Sequence, residues 1–276
     1  MAAFVHLRVR SVYSVGQGAI PLGALPALCE RAGTPAVAVT DANALFGALE
    51  FSETAAKAGV QPILGLSLAL AYAAAERPDE RPPAPAEIAL LAQNEAGWLN
   101  LMKLASMVYL ESGDGWRCVA PEAVEAHADG LICLTGGPDG PLGRLVRDGR
   151  AAQAEALLDR LAAAFPDRLY VELQRHGDPR TPAEAATEPF FVEAAYARDL
   201  PLVATNDAHF PDESLFAAHD AFLCIGEGTY VSQEDRRRLT PEHWFKPAGA
   251  MAALFADLPE AIESTVEIAR RCAFRP

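Results

Sequence analysis

Apolar and polar positions alternate with period two through FVHLRVRSVYS (Phe4 to Ser14), which sets Phe4, His6, Arg8 and Arg10 on one face of an extended segment and Val5, Leu7 and Val9 on the other. Similar short β-rich runs recur along the chain, and the pattern predicts strands over 4–9, 36–40, 62–70, 88–93, 131–134, 169–173 and 202–205. Between them the apolar spacing turns helical over 22–32, 44–58, 97–110, 151–165, 189–198 and 214–224. Strand and helix alternating in this way predict βαβ units and a mainly parallel sheet. Seven such strands over this length predict an α/β fold built as a closed or nearly closed, TIM-like β/α barrel.

Two stretches break the rhythm. ERPDERPPAP (Glu76 to Pro85) is rich in proline and charge and reads as an exposed loop or hairpin tip between the third and fourth strands. After Cys224 the βα pattern stops, and helices are expected over 248–256 and 259–272. The expected division is therefore a barrel over 1–225 and a helical segment over 226–276 that packs on it. The closing CAFRP carries no turn signal or polar tail, as expected of a piece of a longer polypeptide.

Composition narrows the class. With 51% hydrophobic residues in 276, the chain can bury a substantial core, and it holds no apolar run of membrane-spanning length. The five cysteines are scattered without a CxxC pair, which fits buried thiols in a reducing compartment, so a cytoplasmic protein is expected. A net charge of −14 repels phosphate backbones and argues against an independent DNA-binding module. The one basic run, Arg236 to Arg238, reads as a solvated helix end.

In a β/α barrel, chemistry gathers at the carboxyl ends of the strands. The unusual polar residues fall there: Arg8, Arg10 and Ser11 after strand one, Asp41 after strand two, Ser67 on strand three, Glu172 and His176 on strand six, and Asn206, Asp207 and His209 after strand seven. Taken singly, Asp41 and Asp207 fit loop or helix caps as well as a site. Together the five strand ends point to a site. Asp207 and His209 form a DxH pair that can present an oxygen and an imidazole to one divalent ion, the chemistry of metal-assisted hydrolysis.

FVHLRVRSVYS, AVAVTDANALFGALEFSETAAKAGVQPILG, LLAQNEAGWLNLMKLAS, YVELQRHG and PLVATNDAHF occur in order, and together they resemble the polymerase-and-histidinol-phosphatase (PHP) domain that opens bacterial DNA polymerase III alpha subunits. The closing LFADLPEAIESTVEIARRC is similar to the helical segment leading out of that domain. The resemblance implies a distorted seven-stranded barrel and, in active members, a phosphoesterase with two or three metals. The family's HxH falls on Arg8 and Arg10, its Asp-His on Asp41 and Ala42, and its acidic ligand on Ser67, whereas His176, Asp207 and His209 match.

A guanidinium has no lone pair and keeps its charge, so it cannot ligate a cation. Arg8 and Arg10 are therefore expected to stand where metals would and to hold Asp41 or Asp207. Arg8, Arg10, Asp41, Ser67, Glu172, His176, Asp207 and His209 form the expected vestigial site, with no catalytic residue and no metal or other cofactor. The alternative is a residual zinc, manganese or magnesium site on Asp41, His176, Asp207 and His209 supporting phosphoesterase activity.

The family's polymerase aspartates lie in a later domain. The resemblance therefore implies a scaffold whose partners are the rest of the alpha chain and the proofreading exonuclease (epsilon) subunit, with DNA reached only through the full-length polymerase and no membrane. Trp116 and Trp244 are candidate docking anchors or packing residues. His127, His219 and His243 lack partners at ligand spacing, and His243 is expected at a helix start.

Overall fold

The computed structural model describes residues 4–73, 82–112 and 115–276. Six strands form one curled sheet in sequential order: β1 (Ala36–Val39), β2 (Gln61–Leu70), β3 (Ala86–Ala92), β4 (Leu131–Leu134), β5 (Leu169–Gln174) and β6 (Leu202–Thr205). The expected seventh strand, 4–9, is not one. Its residues are extended but make only single bridges, His6 to Val37 beside β1 and Val9 to Ala208 just beyond β6. The fold is thus a half-barrel of six strands among the described residues, not a closed seven-stranded barrel.

β1–β2, β4–β5 and β5–β6 pair in parallel, whereas β3 runs antiparallel to both β2 and β4. Antiparallel neighbours of this kind need no crossover connection, whereas the parallel pairs do. Most of the 76–85 stretch expected as a loop or hairpin tip between β2 and β3 lies outside the described residues, which resume at Pro82. The reversal has one consequence for the site: the amino end of β3 lies level with the carboxyl ends of the other strands.

Helices α1 (Leu25–Ala32), α2 (Ala48–Lys57), α3 (Glu95–Leu110), α4 (Pro121–Ala126), α5 (Pro141–Arg147), α6 (Ala151–Ala164), α7 (Pro182–Ala197), α8 (Phe216–Glu227), α9 (Ala248–Leu254) and α10 (Pro259–Arg271) complete the frame. Three depart from the expectation, α4 and α5 by being unexpected and α7 by its start. α4 and α5 are too short to show a full apolar period. α7 starts seven residues earlier than expected, because Thr181 accepts from Glu184 N while the Glu184 carboxylate accepts from Thr181 N. That capping box sits immediately before Pro182, and it wins over the helix-start signal of Pro189, which is carried inside the helix.

Both faces of the sheet are buried, so the strands read as nearly continuous apolar runs. On one face Leu66, Leu68, Ile88, Leu90, Leu131, Val171 and Leu202 pack with α3, α5, α6 and α7. On the concave face Ile63, Leu91, Ile132, Leu134, Tyr170 and Val203 meet Val5, Leu7 and the α10 residues Ile268 and Ala269. Met251 of α9, Phe255 just after it and Ile262 of α10 belong to the same apolar cluster as the strands. Arg175 after β5 pins this C-terminal part: it donates to Glu188 of α7 at 2.6 and 3.0 Å, to Leu254 O and to Asp257, and stacks over Phe255.

Candidate functional site

The two-residue period of a strand decides which polar side chains enter the concave cup. Ser67 shares the parity of Ile63, Glu172 that of Tyr170, and Thr205 that of Val203, so all three face inward. Glu87 shares the parity of Ala89 and Leu91 and enters the cup from the amino end of the reversed β3. Asp41 carries the opposite parity, that of Val37 and Val39, which pack with α1 and α2. It is therefore turned out of the cup.

Inside the cup two arginines, each 2% exposed, face three carboxylates. Arg10 donates through Nε to Asp207 Oδ1 at 3.0 Å, grips both oxygens of Glu87, and reaches Gln17 Oε1 at 3.2 Å. Arg8 donates to Glu172 Oε2 at 3.3 Å, makes a long 3.5 Å contact to Ser67 Oγ, and lies 3.5 Å from Asp207 and 3.6 Å from Glu87. The Glu172 carboxylate is saturated: Thr205 Oγ1, Gln174 Nε2 at 2.9 Å and Gly136 N at 2.9 Å also donate to it. Gly136 makes that bond at φ +94°, in the left-handed region, with its Cα against the Glu87 carbonyl where a side chain would collide.

Asp207 is also left-handed, at φ +41°. The turn returns Ala208 to pair with the first segment (Ala208 N to Arg8 O, 3.1 Å; Arg10 N to Ala208 O, 2.9 Å). It thereby places the Asp207 carboxylate beside both guanidiniums. Burial alone raises the Asp207 carboxyl, but the charges of Arg10 and Arg8 outweigh it and hold it well below the usual carboxylate range. In the same way burial works against the Glu87 carboxylate, and the Arg10 charge and hydrogen bond lower it. Both arginines are raised above their ordinary value, since the carboxylates outweigh their burial.

The other expected residues divide. His209 joins the network weakly, Nε2 lying 3.4 Å from Asp207 Oδ2 and Nδ1 3.1 Å from Gln17 O. His176 lines the same cavity, but its ring nitrogens face Glu184 Oε1 at 2.6 Å and Asn206 O at 2.7 Å. Asp41 accepts from Ser11 N and Oγ, both at 2.7 Å, and from Ser14 Oγ at 2.6 Å, tying down the 11–14 turn. Burial raises its carboxyl, against the pull of the serines.

Three further contributors escaped sequence reasoning. Glu87 was hidden by the reversed strand. Glu184 carried a readable signal, the TPAE capping box. His243 stacks on His176 with ring centroids 3.7 Å apart in a turn-and-bridge segment rather than at a helix start. Burial, together with His176 and His209, holds its imidazole well below its ordinary value. Arg236 is likewise no solvated helix end: it forms a two-pronged ion pair with Asp220, both contacts 2.6 Å. Arg237 and Arg238 line the mouth of the cavity, which has a volume of about 530 Å³.

A divalent ion needs lone pairs converging on one point. Here the cup's carboxylate oxygens are taken by guanidinium donors, and the ring nitrogens of His176 and His209 already face protein oxygens. Among the described residues no group of three or more histidine, cysteine, aspartate or glutamate side chains is placed to hold a metal. The residues present therefore do not fit a metal cluster, and no step of hydrolysis through one follows from them.

A family model for the PHP domain matches residues 6–176. The chain is 51% identical over 272 residues to the DNA polymerase III subunit alpha of Caulobacter vibrioides, covering 98% of this chain and 23% of that protein. It is 38% identical over 273 residues to the subunit alpha of Pseudomonas fluorescens, covering 98% of this chain and 22% of that protein. The chain thus spans less than a quarter of the length of these relatives. Among solved structures, an amidohydrolase from Chromobacterium violaceum aligns with a TM-score of 0.49 at 13% identity, over 80% of this chain and 97% of that one. No helix among the described residues is long and apolar enough to cross a membrane. The chain belongs to the PHP domain family, and the relatives it matches along almost its whole length are DNA polymerase III alpha subunits.

Proposed function

We propose that this chain is a PHP module of a replicative DNA polymerase alpha subunit in which paired arginines have replaced the metals, leaving a scaffold rather than a phosphoesterase. One observation carries the reading: Arg8 and Arg10 lie among Glu87, Glu172 and Asp207, supplying the positive charge that metals supply in active members of the family. Each guanidinium satisfies carboxylates that would be costly to leave unpaired in a buried cup, and its own charge repels a divalent ion. In this reading nucleotide addition belongs to the remainder of the longer chain, and the 226–276 segment leads toward it. The domain supports the polymerase in the cytoplasm and offers its outer surface to the proofreading exonuclease subunit. Trp116 and Trp244, both partly exposed, are candidate anchors there.

The test is metal content by elemental analysis after equilibration with zinc and manganese and removal of excess. The scaffold reading expects less than about a tenth of an equivalent, because a metal held by a folded site would survive that exchange. A full equivalent, lost in Asp207→Asn and accompanied by release of nucleotides from DNA 3′ ends, would establish the phosphoesterase reading instead. The docking claim is checked by co-elution with the exonuclease subunit, and failure to co-elute refutes it.

A further inference from the structure

A second concavity lies far in chemistry from the charged cup. It is a groove of about 410 Å³ between α9 and α10, floored by Phe255, Ile262 and Val266 and walled by Ala252 and Ala256. Its rim is polar: Glu263 and Arg270 stand exposed on one side of α10. The opposite side of α10 is already committed, with Ala261, Thr265, Ile268 and Ala269 buried against the sheet and Thr265 Oγ1 accepting from Val5 N at 3.1 Å. An amphipathic helix normally has one apolar face and one solvated face. Beside that face, half-buried Val266 of α10 and exposed Ala256 leave apolar surface in the groove that nothing among the described residues covers.

We propose that this groove seats the polypeptide that follows Pro276 in the full-length chain, through a segment presenting apolar side chains with a cationic residue opposite Glu263. Two observations favour that occupant over a separate protein or a second copy. The matched relatives are more than four times as long as this chain, so a large polypeptide must pack near it. The path of the chain also leads there. Gln61 Nε2 donates to Ala269 O at 2.6 Å and to Cys272 O at 3.3 Å, so the carboxyl end of α10 is held to the barrel at the end of the groove that Arg270 lines. From Cys272, the few residues to Pro276 reach at most roughly 17 Å even when fully extended. Whatever element comes next starts beside the groove, and covering apolar surface there stabilises the junction at little further cost in loop closure.

The inference rests on the reading of this chain as one module of a longer alpha subunit, but not on its metal content. A metal-loaded cup with a covered groove would overturn the scaffold and leave the junction standing. The experiment uses the full-length gene product, shown to be monomeric by light scattering. Single substitutions Ala256→Cys in the groove and Ala151→Cys on exposed α6 add one atom each at surface positions, and maleimide labelling of each is followed by peptide mass spectrometry, which separates them from native Cys118. The expected result is labelling at Ala256→Cys slower by about tenfold or more than at Ala151→Cys, the protection of a site that opens only transiently. Equal rates overturn the proposal. So does protection that appears only at concentrations where the protein dimerises, which assigns the groove to a second copy, or only on addition of another protein.

Discussion

Replacing Arg10 with methionine probes the site most directly, because it removes the charge and keeps much of the side-chain volume. In the native cup two guanidiniums face Glu87, Glu172 and Asp207, a local balance of −1, and Arg10→Met makes it −2 with only Arg8 remaining. At an effective dielectric of about 20, a unit pair about 4 Å apart is worth about 4 kcal/mol before desolvation. Breaking a buried pair by deleting one partner costs about 3–5 kcal/mol. The side chains of Asp207 and Glu87 keep 16% and 26% of their exposure, so water takes up part of the loss. The lower end, about 3 kcal/mol, is the expected destabilisation.

In thermal unfolding at pH 7 that loss lowers Tm by about 5 °C for a chain of this size. The pH dependence carries its own sign. Asp207 and Glu87 have depressed folded-state values, so their contribution is present above the unfolded carboxylate range and disappears as pH falls through the folded values. The variant, with its carboxylates deprived of Arg10, approaches the wild type as the pH is lowered. Adding Asp207→Asn to Arg10→Met removes one orphaned charge and should restore a sizeable part of the stability. A single-variant loss below about 1 kcal/mol, the size of an exposed ion pair, would refute the reasoning, as would a double variant no more stable than the single.

Three other outcomes are expected. His6 and His219 are buried neutral, with burial first among the causes that lower each to about 4; stability is therefore full above the unfolded value near 6.5 and falls as pH drops toward 4, by about 2 kcal/mol per histidine between pH 7 and 5, and a denaturant midpoint unchanged over that range would refute this. Arg8→His combined with Arg10→His replaces donors by lone pairs among Glu87, Glu172, Asp207 and His209, and should give a protein that retains about one equivalent of zinc after dialysis; a zinc content no higher than the parent's would refute this. Gly97→Ala places a methyl against the Gly130 backbone where α3 begins, which should cost about 1–3 kcal/mol in urea unfolding.

The half-barrel and its site were unequally legible. Strand positions over 131–134 and 202–205 agree with β4 and β6 to the residue, because a short, continuous apolar run is a local property of the chain. That the arginines meet Asp41 or Asp207 was expected from charge once all four were assigned to the top of the sheet; which of the two they meet was not. The direction of β3 is not local. It depends on a return connection and on which neighbour offers free backbone groups, so Glu87 stayed invisible although it carries a full charge into the cup. Asp41 failed to join because one residue of parity sends its side chain to the other face.

Most of the secondary elements, the family and the chemical character of the site, with two cations placed where lone pairs would be needed, were readable from the chain alone. These rest on spacing along the chain and on functional groups that each residue carries wherever it lies. Only the tertiary structure decided how many strands join the sheet, which carboxylates the arginines hold, and that His243 stacks on His176 from a segment 67 positions further along. Those choices minimise the free energy of burying charge and apolar surface together, a quantity defined by neighbours in space and not by neighbours in sequence.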